Sequence, residues 1–196
     1  MVLASHIIFT AYGFWLPNDP RGSWSDWVAS WELLKFGPAT KTDTRQSVAR
    51  TAHDPMRRQA AKSALRRPPV LFDGQQALAI ANGFATACRD SEYVPRAFSI
   101  LPDHTHGIVQ RHPHLAEHIV GHLKSAATRQ LRAEGLHPFD DGGQRIPTVW
   151  AEGCWKRFLN SGDEMMQAIR YVNNNPLKEG KKRQNWHFVV PFPGPV

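Results

Sequence analysis

Cysteine is scarce in this chain, and the two present, Cys88 and Cys154, lie far apart with no Cys-x-x-Cys pair. This excludes a disulfide framework and a thiolate zinc site, and both are read as reduced thiols. Long apolar runs are missing too. Nothing approaches the roughly 18 residues that a membrane-spanning helix needs. The N-terminus Met1-Val-Leu-Ala-Ser-His6 shows no basic region leading into an apolar stretch, so neither export nor a membrane partner is expected. There are no internal repeats and no low-complexity tract. Acidic residues are in deficit, with 17 Asp and Glu against 24 Lys and Arg and a formal charge of +7. That excess favours polyanionic partners, nucleic acid foremost. A length of 196 residues with 41% hydrophobic residues suits one domain over 1–196, soluble and cytoplasmic.

The hydrophobic pattern divides the chain into elements. His6 to Tyr12 reads as a strand ending at Gly13, because it is rich in β-branched and aromatic residues. An irregular insertion is expected from about 13 to 70, with Trp15, Trp24, Trp27 and Trp31 in its first part. Its second part, from Lys41 to Val70, holds eight Lys/Arg against two Asp, either a solvated face or a nucleic-acid contact surface. Asp73 to Asp90 and Leu115 to Ala133 carry apolar residues at helical spacing. Arg96 to Leu101 and Thr105 to Arg111 read as strands joined at Pro102-Asp103. Thr148 to Leu159 reads as a strand broken at Gly153, Asp163 to Asn175 as a helix stopped by Pro176, and Trp186 to Val190 as a short closing strand. The order is the βαββαβ pattern of a ferredoxin-like α+β fold. It implies an antiparallel sheet with helices on one face and an added C-terminal helix.

Two patterns carry chemistry. His104-Thr105-His106 sits in a β-biased run, so the two imidazoles project from one face with bases about 6–7 Å apart, close enough to share a divalent ion. Tyr171 and Asn175 lie one turn apart on the last helix, with Tyr171 off the apolar stripe of Met165, Ile169 and Val172. A phenolate can attack phosphorus and form a phosphotyrosine ester, provided something offsets its pKa near 10. Two His and an Asn carbonyl would leave open positions on Mg²⁺ or Mn²⁺ for phosphate oxygen and water. Asn175 before Pro176 has a second reading as a helix cap.

These residues resemble a known family. Pro102-Asp-His-Thr-His-Gly-Ile-Val109 is similar to the HUH motif of single-tyrosine transposases of the IS200/IS605 type, and Arg170-Tyr-Val-Asn-Asn-Asn-Pro-Leu-Lys-Glu-Gly180 to their tyrosine helix. The Tyr-x-x-x-Asn-Pro form resembles the REP-associated tyrosine transposases most, as does Phe9-Thr-Ala-Tyr-Gly-Phe-Trp-Leu-Pro-Asn-Asp-Pro-Arg-Gly-Ser23. Trp150 to Leu159 and Leu123-Lys124-Ser125 fit the same pattern. The resemblance covers nearly the whole chain apart from 41–69. It implies His104, His106 and Asn175 as metal ligands and Tyr171 as the nucleophile. The implied substrate is single-stranded DNA near a hairpin, cut through a 5′-phosphotyrosine in a nucleoid-associated setting by a monomer or homodimer. Thr105 departs from the bulky hydrophobic residue usual at that position, and a less apolar backing of the site is expected there.

DNA contacts are expected from Arg21, Lys124, Arg129, Lys156, Arg157 and Lys178, with Trp15 as a stacking platform. Two rival readings remain. One is a noncatalytic single-stranded nucleic-acid-binding protein on the same sheet. The other is a zinc peptidase through His114, Glu117 and His118, which match the inverted HxxEH pattern.

Overall fold

The computed structural model describes residues 1–17, 28, 31–37, 54–143 and 146–194. Four strands form one antiparallel sheet: β1 (Ala4–Thr10), β2 (Pro95–Ile100), β3 (His104–Gln110) and β4 (Trp155–Leu159), in the spatial order β2-β3-β1-β4. The helices are α1 (Trp31–Leu34), α2 (Pro55–Ser63), α3 (Gly74–Asp90), α4 (Ala116–Ala133) and α5 (Gly162–Lys178). Omitting α1 and α2, the order is βαββαβ followed by α5, the expected ferredoxin-like arrangement.

The period-2 alternation of the strands sorts side chains between two cores. Ile7, Phe9 and Val109 face α3 and α4, packing with Ile80, Phe84, Ile119 and Leu123. Ala4, Ile108 and Leu159 face the other way, onto Met165 and Val172 of α5. The tyrosine helix therefore lies across the sheet from α3 and α4, on the same face as His104 and His106. Two glycines set close approaches. A Cβ on Gly83 would stand 2.6 Å from the Ala127 backbone where α3 crosses α4, and one on Gly107 would stand 2.5 Å from the Phe98 ring. The glycine that follows His-Thr-His is thus a seat for Phe98, which is itself wedged against Phe84 and Phe188.

Local signals explain the helix starts. Asp73 and Gln76 form a reciprocal capping box at α3, with Gln76 N to Asp73 Oδ1 at 2.8 Å and Asp73 N to Gln76 Oε1 at 3.0 Å. Ser161 caps α5, where Asp163 and Glu164 occupy the first turn and complement the helix dipole.

Several expectations need correction. The stretch 13–70 is not wholly irregular: among the described residues it holds α1 and α2, and Ala61 packs on Leu16 and Leu33. Trp24, Trp27 and the first part of the basic run, 41–53, fall outside the described residues. The expected strand at 148–159 pairs continuously only from Trp155, since Gly153 has φ +71 and Trp150 makes an isolated bridge to Ala11. Pro176 does not stop α5, which runs to Lys178. Pro176 gives up the amide bond to Val172, and the helix runs on two residues past it. The stop comes from Gly180 at φ +69, with Lys181 N bonding Pro176 O at 2.9 Å. The tail 186–190 is not a strand. Gln184 instead bonds both backbone groups of Ile100, at 2.7 Å each, and covers the edge of β2 with a side-chain amide.

Thr105 is 1% exposed on the α3/α4 face, and its hydroxyl has no hydrogen-bond partner. A buried unpaired hydroxyl costs on the order of 1–3 kcal/mol. Thr105→Val, which keeps the shape and the β-branch, is expected to raise stability by about 1 kcal/mol in denaturant melts without altering the imidazole pair on the opposite face.

Candidate active site

Strand register places three imidazoles, not two, on the α5 face. His104 pairs with Thr10, His106 with Ile8, and Ile108 with His6, so His6 of β1 stands diagonally beside His106. His6 Nε2 and His106 Nδ1 are 3.2 Å apart in a buried hydrogen bond. The His104 and His106 ring centroids are 5.1 Å apart. Trp155 of β4 packs edge-on against His6 at 5.2 Å, and Phe14 lies 5.2 Å from His104. Burial, with Arg157 adding to it, pushes His6 down to about 4. Burial also holds His106 well below the usual histidine range, reinforced by His104, His6 and Lys178. Both are therefore neutral imidazoles at physiological pH, the form that offers a lone pair.

Tyr171 projects from α5 onto this group, its ring centroid 5.6 Å from His106 and 5.9 Å from His6. It is still 44% exposed. Burial raises its phenol above the ordinary value, and the Asn175 side chain one turn on partly offsets that. The Lys178 ammonium stands 4.2 Å from the Tyr171 ring centroid, a cation–π contact that favours a developing phenolate. Asn175 is 5% exposed and its Nδ2 has no hydrogen-bond partner, leaving a buried amide beside the phenol for a ligand to satisfy.

Beside His104, Asp103 Oδ1 bonds His104 Nδ1 at 2.7 Å. This carboxylate–histidine pair orients the ring and directs its other nitrogen outward. Asp103, His104 and Glu179 bring one donor atom each within 4.8 Å of one another. Tyr171 and Asn175 fall at i and i+4 on α5, and Glu179, the C-cap just past its end, falls at i+8, so phenol, amide and carboxylate come to the same side. Three site residues were not selected from sequence: His6, Asp103 and Glu179. His6 was readable from β1–β3 pairing, Asp103 from its turn before His104, and Glu179 only once α5 is carried past Pro176.

The expected DNA contacts divide between the two faces. Lys178 and Arg157 share the tyrosine face, with Arg157 also bonding Glu164 at 3.1 Å. Lys156 alternates to the α4 side and pairs with Glu117. Lys124 donates to Ala151 O at 2.8 Å and Gly153 O at 2.7 Å, and burial lowers it to about 8, so its ammonium anchors the loop before β4. Arg129 is exposed on α4 and, with Lys124, Thr128 and Trp150, lines a cavity of about 670 Å³. Trp15 is half-buried against Phe14, and Arg21 lies outside the described residues. Of the residues in the HxxEH pattern, Glu117 pairs with Lys156 and His114 meets the Tyr93 hydroxyl. No helix among the described residues is long and apolar enough to cross a membrane.

No known family profile and no curated protein matches the chain. Among solved structures, one similar to it is a REP-associated tyrosine transposase bound to a REP hairpin, at 12% identity and a TM-score of 0.48, over 92% of this chain and 70% of that one. A candidate transposase from Deinococcus radiodurans R1 is similar at 12% identity and a TM-score of 0.39, over 94% of both chains.

Proposed function

We propose that this chain is a metal-dependent, single-tyrosine transposase nuclease acting on hairpin-forming single-stranded DNA of the REP type. The observation that carries this reading is Tyr171, half-exposed over neutral His6 and His106 and under the Lys178 ammonium. The phenol oxygen attacks the phosphodiester, forming an O–P bond to the 5′ side. The P–O3′ bond breaks, and the departing oxygen takes up a proton equivalent to the one the phenol gives up and leaves as a 3′-hydroxyl. Because phenol is the better leaving group, a second 3′-hydroxyl can reverse the step and join a new strand.

A divalent ion suits the donors present. His104 held by Asp103 and the Glu179 carboxylate, which stand close together, with His106 and the Asn175 amide beside Tyr171, would supply the nitrogen and oxygen ligands that Mg²⁺ or Mn²⁺ accepts. When bound, such an ion would polarise the phosphate and offset developing charge. The chain's own residues do the rest. Asn175 and Lys178 orient the phenol and favour its ionised form, and Asp103 orients His104.

The test is peptide mass mapping after incubation of the full chain with Mn²⁺ or Mg²⁺ and a single-stranded hairpin oligonucleotide. A nucleotide adduct is expected on the peptide carrying Tyr171, and chelation by EDTA should suppress it at least about 100-fold. An adduct on Tyr12 or Tyr93, or none under any divalent ion, would overturn the reading.

A further inference from the structure

We propose a second metal site, built from His114, His118 and His122 at the N-terminal end of α4, that takes a transition ion of the Zn²⁺, Ni²⁺ or Co²⁺ class. It lies past the far end of β3 from His104, on the α4 side of the sheet. It uses none of the residues around Tyr171.

Tyr93 organises the group. It is 4% exposed, and its hydroxyl meets His114 Nδ1 at 2.8 Å and His122 Nδ1 at 2.6 Å, with Ser91 as a further side-chain partner. A phenol has one proton to give and two lone pairs to offer. Where the phenol oxygen accepts from an Nδ1–H, that ring's Nε2 is left with its lone pair. Metal-binding histidines are oriented in this way by a partner on the other ring nitrogen.

The third imidazole comes from helix geometry. His118 and His122 are one turn apart on α4, and His114, just before the helix, folds back over them. The His114 centroid is 5.5 Å from His122 and 6.5 Å from His118. These spacings are wider than a closed site with nitrogens about 2.0–2.1 Å from the ion. All three residues are exposed, and His118, which Tyr93 does not hold, is the ring left to turn toward the other two. His112 is excluded as a ligand because its Nδ1 accepts from His114 N at 3.0 Å. It instead packs edge-on against His114 with centroids 4.7 Å apart.

The donor set decides the class of ion. It is all imidazole, which suits Zn²⁺, Ni²⁺ and Co²⁺ over Mg²⁺. The nearby Glu117 is held by Lys156, so no general base is poised over the ion and the role is structural. Bound metal would clip the segment after β3 to α4 and, through Tyr93, to the lead-in of β2.

Titration of untagged full-length chain with Co²⁺, followed by visible absorption and calorimetry, tests the proposal. Wild type is expected to bind one equivalent at micromolar affinity that survives His104→Ala. His114→Ala combined with His122→Ala should remove that equivalent while leaving Tyr171 adduct formation within about two-fold. Tyr93→Phe keeps the buried ring and should weaken Co²⁺ about 10–100-fold, which gives a reading even if the double variant folds poorly. Zn²⁺ should raise the Tm of wild type and not of the double variant. Unchanged Co²⁺ stoichiometry in the double variant, or a wild type that binds no ion beyond one abolished by His104→Ala, would overturn it.

Discussion

Tyr171→Phe is expected to abolish covalent attachment to single-stranded DNA, a loss of at least about 10³-fold, while hairpin affinity stays within about two-fold. The substitution is clean. Phe keeps the edge contacts to His106 and His6 and the face that Lys178 covers, and removes only the hydroxyl beside Asn175. Tyr171 is partly exposed and not in the α5 stripe that Met165 and Val172 bury, so the fold does not depend on its oxygen. The other two tyrosines are poor substitutes. Tyr93 is buried and bonded to two histidines, and Tyr12 lies beneath Arg67, whose guanidinium is 5.1 Å from its ring centroid. Electrophoresis under denaturing conditions separates the two readouts: the slow covalent band disappears while the native shift remains. A covalent band that persists in Tyr171→Phe would refute the nucleophile assignment.

The parts of the site legible in the sequence were those set by one element's own period. Alternation along β3 put His104 and His106 on one face, and a single turn of α5 joined Tyr171 to Asn175. What was not legible depended on how elements meet. His6 becomes a neighbour of His106 only through the β1–β3 register, which no local pattern states. Glu179 was lost by ending the helix at Pro176, where the rule against proline applies to helix interiors and not to a last turn closed by Gly180. Lys124 shows the same limit. Lys124 looked like a phosphate contact, but its stem runs into the core and its ammonium meets two carbonyls and the Phe9 ring. Charge in a sequence does not say whether a long side chain ends in water.

His6→Phe is expected to lower adduct formation about 10–100-fold with little change in hairpin affinity. His6 and His106 share one hydrogen bond, and both rings are neutral, so one must donate and the other accept. If His106 Nδ1–H donates to His6 Nε2, the His106 Nε2 keeps its lone pair for an ion; the reverse arrangement would place a proton there. His6 thus acts through His106 by selecting its tautomer, a positioning role that does not touch the substrate. Phe fills the same space between Trp155 and Tyr171 and removes only the acceptor, whereas His6→Gln restores an acceptor on a flexible stem. Gln is therefore expected to recover part of the activity that Phe loses. The midpoint for Mn²⁺ activation should move to higher concentration in Phe and partway back in Gln. A purely structural role would instead lower the Tm of both variants and leave the Mn²⁺ midpoint where it is in wild type. Equal rates and equal Mn²⁺ midpoints across His6, Phe and Gln would show that His106 holds its tautomer without help from β1.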